Sequence, residues 1–153
     1  MEEIGEEFRE TLVGLFTEVA IIEHLMRTRM ERLYPDGLGA AHFGILNHLL
    51  RKSRVPERID GIAWSFQEDV DYTASKVATL ESFGFVATNP PGTCDGSTIV
   101  ELTDAGEEAR NSALDRMAPD VFELISEIDP VQIGIAHKVL EEIRLTLDNL
   151  PDR

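Results

Sequence analysis

Residues 58–86 read RIDGIAWSFQEDVDYTASKVATLESFGFV, and residues 88–106 read TNPPGTCDGSTIVELTDAG. In the first segment, apolar residues recur every three or four positions on both sides of Asp69 and Asp71, either of which can cap a helix. Gly84 follows the second apolar set, where a glycine commonly ends a helix. This segment therefore predicts two short helices joined by a tight turn.

The second segment predicts a β-hairpin followed by a helix. Short runs rich in β-branched residues, 85–88 and 98–102, are typical of strands, and the chain between them is rich in proline, glycine and aspartate, which form turns. Thr103 can cap a helix that starts at Asp104. A helical pair followed by a hairpin indicates a winged helix-turn-helix, a shape that places one helix in the major groove of DNA.

Long amphipathic helices flank this centre. Residues 6–34 are apolar at helical spacing, and Pro35 to Gly37 then break the pattern before a second helix at about 40–52. The stripe consists of Phe8, Leu12, Leu15, Phe16, Val19, Ile22, Met26, Met30 and Leu33. This apolar face is larger than a small domain can cover, which favours a partner helix from a second chain over packing within its own chain.

Two more helices are predicted after the hairpin. The first contains Pro119, where a kink is expected, and the second begins at Asp129-Pro130, a capping acid followed by proline at the first helical position. The stripe of the last helix is Ile135, Val139, Ile143, Leu147 and Leu150. The predicted fold is therefore mainly α with a small β-hairpin wing, in the order α-α-α-α-β-β-α-α.

The charge distribution argues against tight electrostatic binding to nucleic acid. The 153 residues carry a formal net charge of -15, although residues 39–100 hold 7 acids against 5 bases and are nearly neutral. Nucleic-acid-binding modules usually carry a basic patch, because phosphate neutralisation supplies much of their affinity. The acidic N-terminus does not resemble a secretory signal, so we expect a cytoplasmic protein.

The residues around the hairpin resemble the MarR (multiple-antibiotic-resistance regulator) family of bacterial transcription regulators. The matching pieces are Ile62-Ala63, the run from Leu80 to Val86 (LE-x-x-G-x-V), Asp95-Gly96, and the run from Val100 to Gly106 (V-x-L-T-x-x-G). The resemblance covers essentially the whole chain. It implies a winged helix-turn-helix head at residues 39–102 and a helical dimerisation region formed by residues 1–38 and 103–153.

The resemblance also implies a function. It implies a homodimer that binds a near-palindromic operator in double-stranded DNA and is released by a small aromatic or lipophilic effector in a cleft between head and dimerisation helices. The recognition helix would then present Tyr72, Thr73, Ser75, Lys76 and Thr79 to DNA. Ser97 stands in the wing where the family usually has an arginine, and Arg54 either contacts the DNA backbone or only solvates a loop.

Other candidate sites are less specific. His24, His42, Phe43 and Trp64 are candidates for the effector cleft, although aromatic residues at helical spacing are more often core. His42 and His48 lie six residues apart, which is not the spacing of a helical metal pair, so no metal is expected. Cys94, the only cysteine, lies in a setting that would not activate a thiol. The sequence contains no catalytic motif, and we expect neither a cofactor nor an enzyme.

Two functions remain open. The first is a MarR-like transcription regulator. The second is a relative that has lost DNA recognition and acts as a protein-binding module or antirepressor, for which the acidic composition and Ser97 argue.

Overall fold

The computed structural model describes residues 5–149, which form helices and one small sheet in the predicted class. The predicted Leu150 of the last stripe lies outside these residues. The elements are α1 (Glu6–Met30), α2 (Ala40–Arg51), β1 (Glu57–Arg58), α3 (Ile59–Phe66), α4 (Val70–Ser82), β2 (Val86–Asn89), β3 (Ile99–Leu102), α5 (Asp104–Ile125) and α6 (Pro130–Asp148). The mainly helical fold with a hairpin wing is confirmed.

The sheet has one strand more than predicted. The strands β2 and β3 pair antiparallel with Val86 opposite Leu102, and β1 joins the other edge of β3 with Arg58 opposite Ile99. The order in the sheet is thus β1-β3-β2. A strand of only two charged residues has no alternating apolar pattern, so the sequence carried no signal for β1.

The hydrophobic core lies under the helix-turn-helix and the wing. The fully buried side chains come from α2, α3, α4 and β3, so that these four elements pack on one another; among them are Ile45, Leu46, Leu49, Ile59, Ile62, Val77, Leu80 and Val100. This shared core fixes the position of α4 relative to the wing.

Side-chain caps begin the helices at the predicted places. The Asp69 carboxylate accepts hydrogen bonds from the backbone N–H groups of Asp71 (2.9 Å) and Tyr72 (3.2 Å), and Thr103 Oγ1 accepts one from Gly106 (3.0 Å). The Asp129 carboxylate caps α6 through the N–H of Val131 at 2.9 Å. These bonds pair N–H groups that the helices leave unsatisfied at their first turns.

The outer helices differ from the core helices in burial. Neither α1 nor α6 contains a buried residue among those described. The helix α1 also ends at Met30, four residues before the predicted Tyr34, because Tyr34 turns inward. Its ring packs on Phe43 of α2 with 4.4 Å between ring centroids.

Gly106 offers a test of the packing between α5 and the end of α4. A Cβ added at Gly106 would lie well inside van der Waals contact of the Phe85 carbonyl oxygen, whereas one added at Gly134 of α6 meets nothing within 4 Å. We expect Gly106→Ala to lower the free energy of unfolding by about 3 kcal/mol. Gly134→Ala, the matched control, should be neutral or slightly stabilising, because alanine favours a helix. Urea unfolding checks both, and an unchanged midpoint for Gly106→Ala would contradict the packing described.

Candidate nucleic-acid interface

One face of α4 points away from the protein. Tyr72 is 54% exposed, Ser75 is exposed and Thr79 is half-buried, so three of the predicted contact residues lie outward. The Thr79 hydroxyl donates to the Ser75 carbonyl oxygen at 3.0 Å and keeps its own lone pairs for another donor. This face offers hydroxyl groups and an aromatic ring but no cation.

Two residues that were predicted to face DNA, Thr73 and Lys76, instead face the interior of the protein. Thr73 and Lys76 are buried beneath α4, at 0% and 4% exposure. The Lys76 ammonium forms an ion pair with Glu68, whose carboxylate also accepts a hydrogen bond from the Thr73 hydroxyl at 3.2 Å. The ammonium further lies 4.5 Å from the centroid of the Tyr72 ring. Thr73, Lys76 and Leu80 share a three- and four-residue spacing, which is the signal that places them on the inward face.

The wing is held by hydrogen bonds around two carboxylates. Asp95 accepts from the Ser97 N–H (2.8 Å) and the Ser97 hydroxyl (2.6 Å), and these bonds lower the pKa of Asp95. Glu81, at the end of α4, accepts from the hydroxyl of Thr88 in β2 and from its N–H at 3.2 Å. The bond from the Thr88 hydroxyl is the main reason that the pKa of Glu81 is lowered. Sequence reasoning missed this role of Glu81, which joins α4 to the hairpin.

Cys94 lies at the foot of the wing and packs partly against the core. Burial raises the pKa of its thiol, and the carboxylates of Glu81 and Asp95 raise it further. A thiol with a raised pKa has little thiolate near neutral pH and is a poor nucleophile.

Each of the five basic residues in residues 39–100 is held by an acceptor in its own chain. Four of them, Lys52, Arg54, Arg58 and Lys76, pair with carboxylates, and Arg51 hydrogen-bonds to the imidazole of His48 at 3.4 Å. Arg54, the candidate for a contact to the DNA backbone, is 39% exposed and pairs with two carboxylates of its own chain. Its guanidinium bonds to Asp104 at 2.7 Å and to Glu107 at 3.1 Å, so that it ties the loop after α2 to the first turn of α5.

The four predicted cleft residues do not meet in one cavity among the described residues. His24 lines a shallow hollow of about 630 Å³ on the apolar face of α1, and Trp64 lines a separate cavity of about 390 Å³ between the head and the end of α6. Phe43 is core, and His42 begins α2 by accepting the Gly39 N–H at Nδ1 (3.1 Å). Within the described chain these residues therefore lie in three places, with His42 and Phe43 adjacent on α2 and His24 and Trp64 on other elements.

A different cavity of about 400 Å³ lies between α1 and α5. Its lining combines apolar side chains with two arginines, and the residues are Met26, Thr28, Arg29, Arg32, Leu33, Met117 and Val121. The described residues contain no group of three or more histidine, cysteine or acidic side chains placed to hold a metal ion. Within residues 5–149, no helix is both long enough and apolar enough to span a membrane.

Together, the helix-turn-helix and its three-stranded wing define a winged-helix domain. No protein-family model matches the chain, and no functionally curated protein is similar to it in sequence. Its fold is that of MarR-family transcriptional regulators, as comparison with solved structures shows.

Three of these structures span nearly the whole chain. A MarR family protein from Bacillus stearothermophilus superimposes with a TM-score of 0.71 at 16% identity, covering 95% of this chain and 99% of that one. The transcriptional regulator BldR from Sulfolobus solfataricus gives 0.66 at 20% identity, with coverage of 98% and 100%. An organohalide-sensing transcriptional regulator bound to 2,4-dichlorophenol gives 0.67 at 15% identity, with coverage of 100% and 91%.

The ion pair between the buried Lys76 and the partly exposed Glu68 predicts two unequal mutational effects. Glu68→Ala leaves the Lys76 ammonium buried without its carboxylate, and should lower the free energy of unfolding by about 3 kcal/mol. Lys76→Met removes the buried charge and keeps the apolar stem, so its cost should stay below about 1 kcal/mol. Denaturant unfolding at neutral pH measures both, and equal losses for the two variants would be inconsistent with a buried Lys76.

His42 predicts a loss of stability in acid. Burial lowers its pKa below the ordinary 6.5, and the nearby Lys76 lowers it further. The folded protein therefore binds a proton less readily than the unfolded chain, so stability is present above pH 6.5 and declines as the pH falls from there through the lowered pKa. His42→Gln keeps an acceptor for the Gly39 N–H and does not titrate, so it should reduce this decline.

Urea unfolding at several pH values between neutral and mildly acidic measures the effect of His42. His137→Gln, on the exposed surface of α6, is the matched control and should behave like the wild type. If His42→Gln lost as much stability in acid as the wild type, the proposed role of His42 in the first turn of α2 would be refuted.

Proposed function

We propose that this protein is a homodimeric transcription regulator that binds double-stranded DNA through α4 and the wing, and that it is not an enzyme. The observation that carries the proposal is the placement of α4. It stands on the outer side of the head with Tyr72, Ser75 and Thr79 outward, and the wing is tied beside it through Glu81. A helix presented in this way fits the major groove of DNA. Residues 39–102 would be the DNA-binding head, acting in the cytoplasm.

The exposed apolar surface of the outer helices supports a dimer. Large apolar side chains are exposed on α1 (Phe8, Val13, Phe16, Val19, Ile21, Ile22 and Leu25) and on α6 (Val131, Ile133, Ile135, Val139, Leu140 and Leu145). Full burial of one such side chain stabilises by about 1.5–3 kcal/mol, so covering a fraction of these would favour association strongly. We propose that residues 1–38 and 103–153 form the dimer interface with a second copy of the chain.

A dimer with two-fold symmetry fixes the distance between its two copies of α4 and the symmetry of the DNA site that they can bind. Two equivalent copies of α4 would enter successive major grooves on one side of the duplex, about 34–36 Å apart. The operator would then be near-palindromic, because its symmetry follows that of the protein.

The outward face of α4, formed by Tyr72, Ser75 and Thr79, is called the reading face. Its chemistry supports recognition by hydroxyl groups and shape. Ser75 and Thr79 can donate to or accept from base edges and phosphates, and Tyr72 offers a hydroxyl and an apolar ring. The internal ion pairs leave few cations for phosphates, so the affinity should depend only weakly on salt.

The cavity between α1 and α5 supports an effector site. It lies within the proposed dimerisation region, and its methionine, leucine and valine side chains suit a small lipophilic or aromatic molecule. Arg29 and Arg32 at its edge suit a ligand with an anionic or phenolic oxygen. Binding there would change how α1 and α5 pack and so alter the spacing of the two heads.

A protein-binding module remains the second candidate function. The observation that favours it is the engagement of all five head cations by acceptors of the same chain. A surface of this charge repels phosphate and attracts basic proteins. Retention of the protein on a heparin column would favour the DNA-binding function. Failure to be retained on heparin, together with capture of a basic protein, would favour the protein-binding module.

Substitution of one α1 residue tests the dimer and the DNA binding together. Ile22, 57% exposed, lies on the proposed interface, and Val55, 59% exposed, lies in the loop after α2. We expect Ile22→Glu to sediment as a monomer and to bind duplex DNA from the region upstream of its own coding sequence at least tenfold more weakly, because each head then binds alone. Val55→Glu should sediment as the wild type does.

Sedimentation velocity and gel shift at low salt make these measurements. A wild-type protein that sediments as a monomer would refute the dimer. Absence of any gel shift with wild-type protein at micromolar concentration would refute the DNA-binding function.

A further inference from the structure

One exposed ion pair lies beside the wing. Arg58, on β1, binds Asp60 through two bonds, from Nε to Oδ1 at 3.0 Å and from Nη2 to Oδ2 at 2.6 Å. Their side chains are 57% and 43% exposed. The guanidinium and the carboxylate therefore face each other edge to edge at the surface, where both remain in contact with solvent.

The Arg58–Asp60 pair lies next to the wing and the first residue of α4. Asp60 donates its backbone N–H to the Gly96 carbonyl oxygen in the wing at 3.0 Å. A Cβ added at Gly96 would lie 3.2 Å from a methyl group of Val70, the first residue of α4. The wing, the start of α3 and the start of α4 thus meet at Gly96, and Arg58 enters this junction from β1.

The other head cations are placed differently. Lys76 is buried under α4, and Arg54 is bound to the first turn of α5. Lys52 and Arg51 belong to the end of α2, where they bond to Glu57 and His48. Among the described residues 39–100, Arg58 is therefore the exposed basic residue that lies at the junction of the wing loop with α3 and α4.

The pair can exchange one two-bond partner for another. Both side chains are exposed, so water screens their attraction. The planar guanidinium binds a phosphate with the same two-bond geometry that it uses for a carboxylate. A DNA phosphate brought close to the wing can therefore replace the Asp60 carboxylate.

We propose that Arg58 is the phosphate-contacting residue on the wing side of each head, and that Asp60 is an intramolecular competitor which DNA must displace. The inference rests on the proposed DNA-binding function. It assigns Asp60 the role of weakening the affinity, because the carboxylate occupies the Arg58 guanidinium that the phosphate would otherwise bind. Removal of the Asp60 charge should accordingly strengthen DNA binding.

A double-mutant cycle on the full chain tests this proposal. The probe is a mixed-sequence 40-base-pair duplex, with affinities measured by fluorescence anisotropy at about 50 mM salt, where phosphate contacts contribute most. Asp60→Asn should bind about threefold to tenfold more tightly than wild type, and Arg58→Gln should bind more weakly by a similar factor. In the Arg58→Gln background, Asp60→Asn should change the affinity by less than about twofold, because no guanidinium remains to be released.

Glu101→Gln is the matched control, because it removes one exposed carboxylate from the neighbouring strand β3. It should change the affinity by less than about twofold, since it frees no guanidinium. Circular dichroism melting should show that all variants fold, and the increase expected for Asp60→Asn cannot arise from misfolding.

The possible outcomes separate the inference from the proposed function. If the wild type binds and Asp60→Asn binds no more tightly, the inference is overturned and the DNA-binding function stands. An equal gain with and without Arg58 would also overturn it, since general charge removal would explain the gain. If neither the wild type nor any variant binds, both fail. If only Asp60→Asn binds, the DNA-binding function proposed for the wild type fails, while the competition between Asp60 and the phosphate for Arg58 stands.

Discussion

An ion pair between the buried Lys76 and the partly exposed Glu68 fixes the inward face of α4. The Lys76 ammonium is held by Glu68 at the turn between α3 and α4, and the same carboxylate accepts the Thr73 hydroxyl. These bonds fix α4 over the core and direct Tyr72 outward. They also remove the one basic residue of α4 from the outer surface, so the helix keeps the geometry of a DNA-reading element without its usual charge.

Other basic residues of the head also form ion pairs within the chain instead of remaining free at the surface. Arg54 attaches the loop after α2 to α5, and Lys52 and His48 hold Glu57 of β1 against α2. Burial of the Glu57 carboxyl raises its pKa. The hydrogen bonds from Lys52 and His48 have the larger combined effect, so the pKa of Glu57 is lowered. The head is therefore cross-linked by ion pairs, while α1 and α6 expose a broad apolar surface.

Local signals in the sequence were sufficient for much of the fold. The caps at Asp69, Thr103 and Asp129 form as predicted, because a cap involves only the next two or three residues. The helical periods located the helices, and the β-branched runs with the turn residues between them located the hairpin. The strand β1 was missed because its existence depends on Val100 and Ile99, about forty residues away, rather than on its own two residues.

The site was less predictable than the fold, because its chemistry depends on partners distant in the chain. The family resemblance placed Lys76 on the outward face, and the position of Glu68 across the turn explains its burial. Arg54 likewise pairs with Asp104, fifty residues later. His24 and Trp64, which were expected in one effector cleft, line separate hollows, since they belong to elements whose relative placement no local pattern encodes.

The central claim is that this head binds a DNA duplex while its cations serve the protein's own structure. The salt dependence of the wild-type affinity tests it most directly, because the slope of log K against log salt is about -0.9 for each phosphate neutralised. We expect measurable binding with a slope no steeper than about -4, corresponding to about two phosphates for each head. A slope near -8, or no binding even at the lowest salt, would contradict this claim.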